Sequence, residues 1–137
     1  MGFFESGDHA TLNGGTPLLS SHGSFTFVQM KIARIETIPI SVPLNPALAI
    51  KSGRGGAHTR SPFLLVKIHG DNGHVGLGEV SCTPRWSGED QVSAKHFIDT
   101  YFAPALIGED PSDIEATTRL FWSTVAGNFF TKAGVEM

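Results

Sequence analysis

Asp71, Asn72 and Gly73 stand between two strand-like runs, FLLVKIH at 63–69 and HVGLGEV at 74–80. An Asp/Asn-Gly pair so flanked is the strongest local hairpin signal, because Asn and Gly accept the positive φ that a tight turn needs. Strands joined by a tight turn are antiparallel neighbours, so the centre of the chain is committed to an antiparallel sheet. The same stretch is dense in glycine, with Gly70, Gly73, Gly76 and Gly78 close together, as in a phosphate cradle. The order argues against a cradle. A dinucleotide loop needs G-x-G-x-x-G leading from a strand into a helix, whereas Gly73, Gly76 and Gly78 run in the reverse spacing and lead on into strand residues. No Gly-Lys-Ser/Thr occurs anywhere, so the Walker pattern is absent too.

Upstream, KIARIETIPISVPL at 31–44 alternates and is rich in β-branched residues. The pattern predicts a strand to about Ile38, with Pro39 and Pro43 confining the next residues to a sheet edge or an exit from the sheet. NPALAIKSGRGGAHTRSP, 45–62, is a Gly-rich connection longer than a structural link needs and is expected to be a mobile loop. Downstream, Ser87 and Asp90 resemble a capping box for a helix from about Glu89 to Phe102. Its buried stripe is expected at Ala94, Ile98, Tyr101 and Ala105, and its end at Pro104 and Gly108. Ser112 with Glu115, after Pro111, opens a second helix whose Ile114, Phe121, Val125 and Phe129 are spaced for one face. Three strands followed by two or more helices give an α+β class: a three-stranded antiparallel β-meander with helices packed on one face.

Several functions are disfavoured by composition. A formal net charge of -3 leaves no basic footprint for nucleic acid. Cys82 is the only cysteine, so neither an intrachain disulfide nor a cysteine zinc cluster is available, and the cytosol is the default compartment. No apolar run approaches the roughly 18 residues of a membrane span. Residues 1–29 contain no Lys or Arg and five glycines, which is the composition of an unstructured leader or an artefact rather than a secretory signal. Met30 would then offer a second start, just ahead of the first strand.

The candidate chemistry is sparse. His69 and His74 flank the hairpin tip and are the one pair that could share a metal, but two imidazoles without a third ligand form a poor site. Asp71 is explained as a turn former. Glu79 has no acid/base partner nearby in sequence and is expected to be a structural carboxylate receiving loop hydrogen bonds. Cys82 lacks the flanks of a thiol nucleophile and is expected to be buried and inert. Phe121, Trp122, Phe129 and Phe130 have core spacing. Lys51, Arg54, His58 and Arg60 ride on glycines and either fold over an anion or form a solvated basic loop; the sequence leaves both open. Thr83, Arg85 and Trp86, in TPRWSGE, form a second exposed candidate between sheet and helix.

Taken in order, the strand at 32–44, the hairpin SPFLLVKIHGDNGHVGLGEVS, APALIGEDPSDIE between the helices and AGNFFTKAGVEM at the close carry a resemblance. The chain resembles the N-terminal capping domain of the enolase superfamily, in its mandelate racemase and muconate lactonizing enzyme branch, nearest the muconate cycloisomerase side. The likeness covers about 30–137. It implies a lid over a barrel enzyme that binds a carboxylate substrate to Mg²⁺ and abstracts the proton alpha to the carboxylate, with a lysine or histidine as base. It further implies that the loop 46–60 and the turn 83–89 close over the barrel mouth, with Lys51, Arg54, His58, Arg60, Thr83, Arg85 and Trp86 as substrate-capping residues.

A barrel of that type takes about 250 residues and carries the base and all metal ligands. None of it lies in these residues, so no catalytic residue and no metal ligand is assigned, and this stretch alone is expected to be inactive. The expected partners are the barrel, a small carboxylate and, for the full-length enzyme, further copies of itself. Two alternatives remain: a subunit complementing a separately encoded barrel, and an independent α+β carboxylate-binding module.

Overall fold

The computed structural model describes residues 16–19, 25–48 and 59–137. Its centre is a three-stranded antiparallel sheet of β3 (Ile32–Pro43), β4 (Arg60–Gly70) and β5 (Val75–Ser81), in the order β3-β4-β5. Ahead of it, β1 (Thr16–Leu19) pairs antiparallel with β2 (Phe25–Val28) in a separate hairpin. That hairpin falls within the stretch whose composition is that of a leader; the other residues of 1–24 lie outside the described residues.

The turn forms where the sequence places it. The Gly73 amide donates to the Gly70 carbonyl, and Gly73 adopts φ +87°, which a side chain would resist. Asp71 does more than turn the chain: its carboxylate accepts from the Lys31 amide at 3.0 Å and its own amide donates to the Lys31 carbonyl at 2.9 Å. The hairpin tip is thereby tied to the entrance of β3.

β3 is longer than its alternation predicts, continuing past Ile38 through Pro39, paired with Leu64, to Pro43, paired with Arg60. Proline is tolerated because β3 is an edge strand, bonded on one side only. The extent implied by the resemblance, to Leu44, is closer.

The sheet is succeeded by helices: α1 (Gln91–Phe97), a π-helical turn at Ile98–Phe102, α2 (Ala103–Leu106), α3 (Ile114–Thr124) and α4 (Phe129–Glu136). The first three pieces form one continuous helix. Its cap is Asp90, not Ser87: the Asp90 carboxylate accepts from the Ser93 amide at 2.7 Å while Ser93 Oγ accepts from the Asp90 amide. The Ser93 amide and hydroxyl hold the Asp90 carboxyl below the usual carboxylate range. Likewise α3 is capped by Asp113, which accepts from the Ala116 amide, and not by Ser112.

The buried stripe is also displaced. Ala94, Ile98, Phe102 and Leu106 are buried, while the expected Tyr101 is 42% exposed. Three steps of four residues overshoot three α-helical turns by about one residue. The π turn, in which the Ala103 amide donates to the Ile98 carbonyl five residues back, takes up that residue and keeps all four side chains on the sheet. It also places Pro104 in the first turn of α2, directly after the π turn has shifted the hydrogen-bond ladder, and Pro104 does not end the helix. Gly108 does, at φ +92°, and its amide donates to the Ile32 carbonyl at 2.8 Å.

The second expected helix is in fact two. Gly127 and Asn128, both in the left-handed region, break the chain after α3, so Phe129 opens α4 and is exposed rather than in register with Phe121. Ile114 is exposed as well.

Leu64, Val66 and Val80 from the sheet pack against this helical layer, with Phe102 and Phe121 edge to face at 5.0 Å between ring centroids. Each such fully buried side chain contributes about 1.5–3 kcal/mol. The other sheet face carries Ile38, Val42 and Leu77, all exposed. The architecture is the expected α+β one, with no barrel among the described residues.

One contact sets the height of α4 above the sheet. A Cβ on Gly78 would overlap the Gly134 backbone, and a Cβ on Gly134 would lie 2.8 Å from the Glu79 carbonyl oxygen. Helix and strand approach backbone to backbone because neither residue has a side chain. The glycine density therefore serves both a turn and a helix seat.

Candidate functional site

Both expected capping segments leave the same end of the sheet. The first departs after Pro43 and returns at Arg60, its base closed by the Leu44 amide donating to the Thr59 carbonyl at 2.9 Å. The second begins beside it, since Ser81 pairs with Phe63 and the Cys82 amide donates to the Pro62 carbonyl at 3.2 Å. Gln91 ties the two roots together: its side-chain amide donates to the Ile40 carbonyl at 2.7 Å and the Phe63 carbonyl at 2.8 Å.

Of the first segment, Pro46–Leu48 form a short 3-10 turn begun by Asn45, whose side chain accepts from the Ala47 amide. Lys51, Arg54 and His58 lie outside the described residues. Arg60 stands at the loop base, where its guanidinium donates to Ser41 Oγ at 2.9 Å and to the Ser41 carbonyl at 2.7 Å. It fastens the root of the loop to β3.

The second segment, 83–89, is internally bonded. The Thr83 carbonyl accepts from the amides of Trp86 and Ser87, both at 2.8 Å, and from Ser87 Oγ; the Glu89 amide donates to Ser87 Oγ. Thr83 Oγ1 lies 3.3 Å from Ser87 Oγ. Ser87, expected as a helix cap, instead closes this turn. Arg85 and Trp86 project from it, with Trp86 87% exposed.

Glu89 has a role its sequence context did not announce. Though an acid, it is only 6% exposed. Its Oε1 accepts from the Phe130 amide at 3.0 Å, and its Oε2 from the Thr131 amide at 2.9 Å and the Thr131 hydroxyl. Asn128 makes no side-chain cap for α4, so Glu89 satisfies that helix's first free amides from 41 residues away. The structural carboxylate expected at Glu79 is therefore Glu89; Glu79 is exposed and accepts no hydrogen bond from the described residues.

Lys132, also buried, donates to the Val125 carbonyl at 2.6 Å and lies 4.4 Å from the Trp122 ring centroid, so it caps the end of α3.

The remaining candidates are placed elsewhere. His69 stands on the sheet face away from the helices, with its Nδ1 3.3 Å from Arg34 and its Nε2 3.5 Å from Glu36. His74 is exposed at the turn. Among the described residues no three His, Cys, Asp or Glu side chains gather to hold a metal ion, so the donor set does not fit one. Cys82 is buried; burial, then the Asp90 charge, raises its thiol pKa, and its Sγ faces the Val80 carbonyl at 3.6 Å. Burial and the raised pKa both disfavour the reactive thiolate. No described helix is long and apolar enough to cross a membrane.

A family model for the mandelate racemase / muconate lactonizing enzyme N-terminal domain matches residues 34–137. A chloromuconate cycloisomerase of Cupriavidus pinatubonensis is 38% identical over 85 residues, covering 61% of this chain and 22% of the relative. Among solved structures, the L-Ala-D/L-Glu epimerase of Bacillus subtilis superposes with a TM-score of 0.72 at 34% identity, over 79% of this chain and 29% of that one. The muconate lactonizing enzyme of Pseudomonas fluorescens gives 0.69 at 29% identity, over 80% and 29%. The chain thus spans less than a third of the length of these relatives.

Proposed function

The chain belongs to the mandelate racemase / muconate lactonizing enzyme family, whose N-terminal domain it matches, and from that premise we propose that it is the substrate-capping lid of an isomerase, cycloisomerase or related lyase. The observation that carries this is the shared root of segments 46–60 and 83–89 at one end of the sheet, tied by Gln91. Two connections rooted next to each other on one sheet edge are placed to act together on whatever lies beyond that edge.

The lid's work is binding, orientation and exclusion of water. In this reading Lys51, Arg54 and His58 offer positive charge to a small carboxylate, Arg60 holds the root of their loop, and Thr83, Arg85 and Trp86 supply the opposite wall. Closure strengthens electrostatic interactions inside the site and protects a reactive intermediate from solvent. Magnesium, carried by the barrel of the full-length enzyme, would supply charge stabilisation as the alpha proton leaves. The described residues contribute no ligand to it, and the base is likewise assigned to the barrel.

The test is a chimera in which residues 30–137 replace the N-terminal domain of the Bacillus subtilis epimerase. Turnover by the chimera, and none by the 137-residue chain alone, is expected, with Trp86→Ala raising KM in the chimera. Metal-stimulated turnover by the 137-residue chain with no added barrel would overturn the proposal.

A further inference from the structure

Buried polar side chains are rare in this fold: among the described residues they are Glu89, Thr131 and Lys132, and all three stand at the two ends of the α3–α4 connection. Lys132 is accounted for as the cap of α3. Glu89 and Thr131 join two parts of the chain that are otherwise unrelated in sequence, the end of the turn 83–89 and the first turn of α4. That turn is already closed on itself through Thr83 and Ser87. Its two ends are held to the sheet, by the Cys82 amide on the Pro62 carbonyl and by Gln91 on the Ile40 and Phe63 carbonyls, and Glu89 adds the tie to α4.

We infer that Glu89 is a positioning residue for the cap, keying the turn 83–89 to α4 so that Arg85 and Trp86 are presented as a fixed wall rather than a mobile flap. The chain of support is continuous. The sheet holds α4 through the Gly78–Gly134 contact, α4 holds Glu89 through three donors, and Glu89 and Ser87 hold the turn. A carboxylate suits the task because its two oxygens accept from several donors at once, and because negative charge is favoured at a helix N-terminus. A neutral amide in its place would turn an N–H toward an N–H. This inference rests on the capping role for its effect on substrate, but the anchoring itself does not.

Amide hydrogen exchange on the unmodified 137-residue chain tests the anchoring. If Glu89 keys the turn to the helix, the amides of Trp86, Ser87, Glu89, Phe130 and Thr131 open together, with protection factors agreeing within about threefold. Glu89→Gln and Thr131→Val should lower all five together by about tenfold or more, and Thr131→Ser, which keeps the hydroxyl, should restore them. Free exchange of the turn amides while Phe130 and Thr131 stay protected would overturn the inference, and this pattern is read without any variant. In the chimera, Thr131→Val should raise KM by about tenfold and leave kcat within about twofold, with Thr131→Ser near wild type. An equal loss in both parameters would count against positioning. An inactive wild-type chimera would instead count against the capping role, leaving the exchange data to decide the role of Glu89.

Discussion

Glu89 and Thr131 are joined twice, through the Thr131 amide at 2.9 Å and the Thr131 hydroxyl, and both side chains are buried. Charge-assisted bonds in a shielded setting are among the stronger ones a fold contains. Thr131→Val removes one donor from a buried carboxylate and is expected to cost about 1–3 kcal/mol by urea denaturation. Thr131→Ser should cost under about 1 kcal/mol, chiefly the loss of one methyl group.

Gly78 and Gly134 give a sharper contrast. Gly78→Ala places a methyl group where the Gly134 backbone already lies, so β5 and α4 must separate; overpacking of this kind costs about 1–3 kcal/mol or more. Gly76, two residues earlier on the same strand, has open space around its missing Cβ, with only the Ile68 carbonyl oxygen at 3.9 Å. Gly76→Ala should change stability by no more than about 0.5 kcal/mol. Equal midpoints for the two variants in chemical denaturation would refute the close helix seat.

The π turn in the long helix makes its own prediction. Phe102→Ala should cost about 3–5 kcal/mol, because Phe102 is fully buried against Phe121. Tyr101→Ala should cost under about 1 kcal/mol, since Tyr101 is exposed and its ring meets those of Phe97 and His96 at the surface. Thermal or urea denaturation reads the difference, and an uninterrupted α-helix would reverse the ranking.

His69 links stability to pH. Desolvation, then Arg34 and Lys67, lowers its pKa from the ordinary 6.5. A histidine whose folded pKa is depressed stays neutral in the native state while the unfolded chain takes up a proton. Its contribution is therefore complete above about pH 6.5 and is lost as pH falls from there through the folded pKa. His69→Gln should flatten the dependence of Tm on pH between about 5 and 7, measured by thermal denaturation. An unchanged slope would remove His69 as a source.

The range of each interaction decides how far it is legible in the chain. The hairpin at Asp71–Gly73, the meander and the α+β order rest on local turn chemistry and alternation, and these are written within a few consecutive residues. Order and spacing of the same motifs also make the family legible. The cap of the long helix is ambiguous by three residues, because Ser87 and Asp90 both fit the local rule. Two competing local bonds separate them: Ser87 is taken up in closing the turn on Thr83, leaving Asp90 to Ser93.

Strands, their antiparallel pairing and the class of fold are encoded locally in the amino-acid order, because backbone sterics and side-chain alternation act over one or two residues. Packing in three dimensions was needed to select Glu89 over Glu79 as the anchoring acid, to make Lys132 the cap of α3, to turn Phe102 rather than Tyr101 to the core, and to seat a helix on Gly78. Glu89 and Gly78 depend on a distant backbone arriving within about 3 Å, whereas Lys132 and Phe102 depend on how neighbouring turns pack against one another; burial then makes an unpaired charge or an extra methyl group too costly to leave in place.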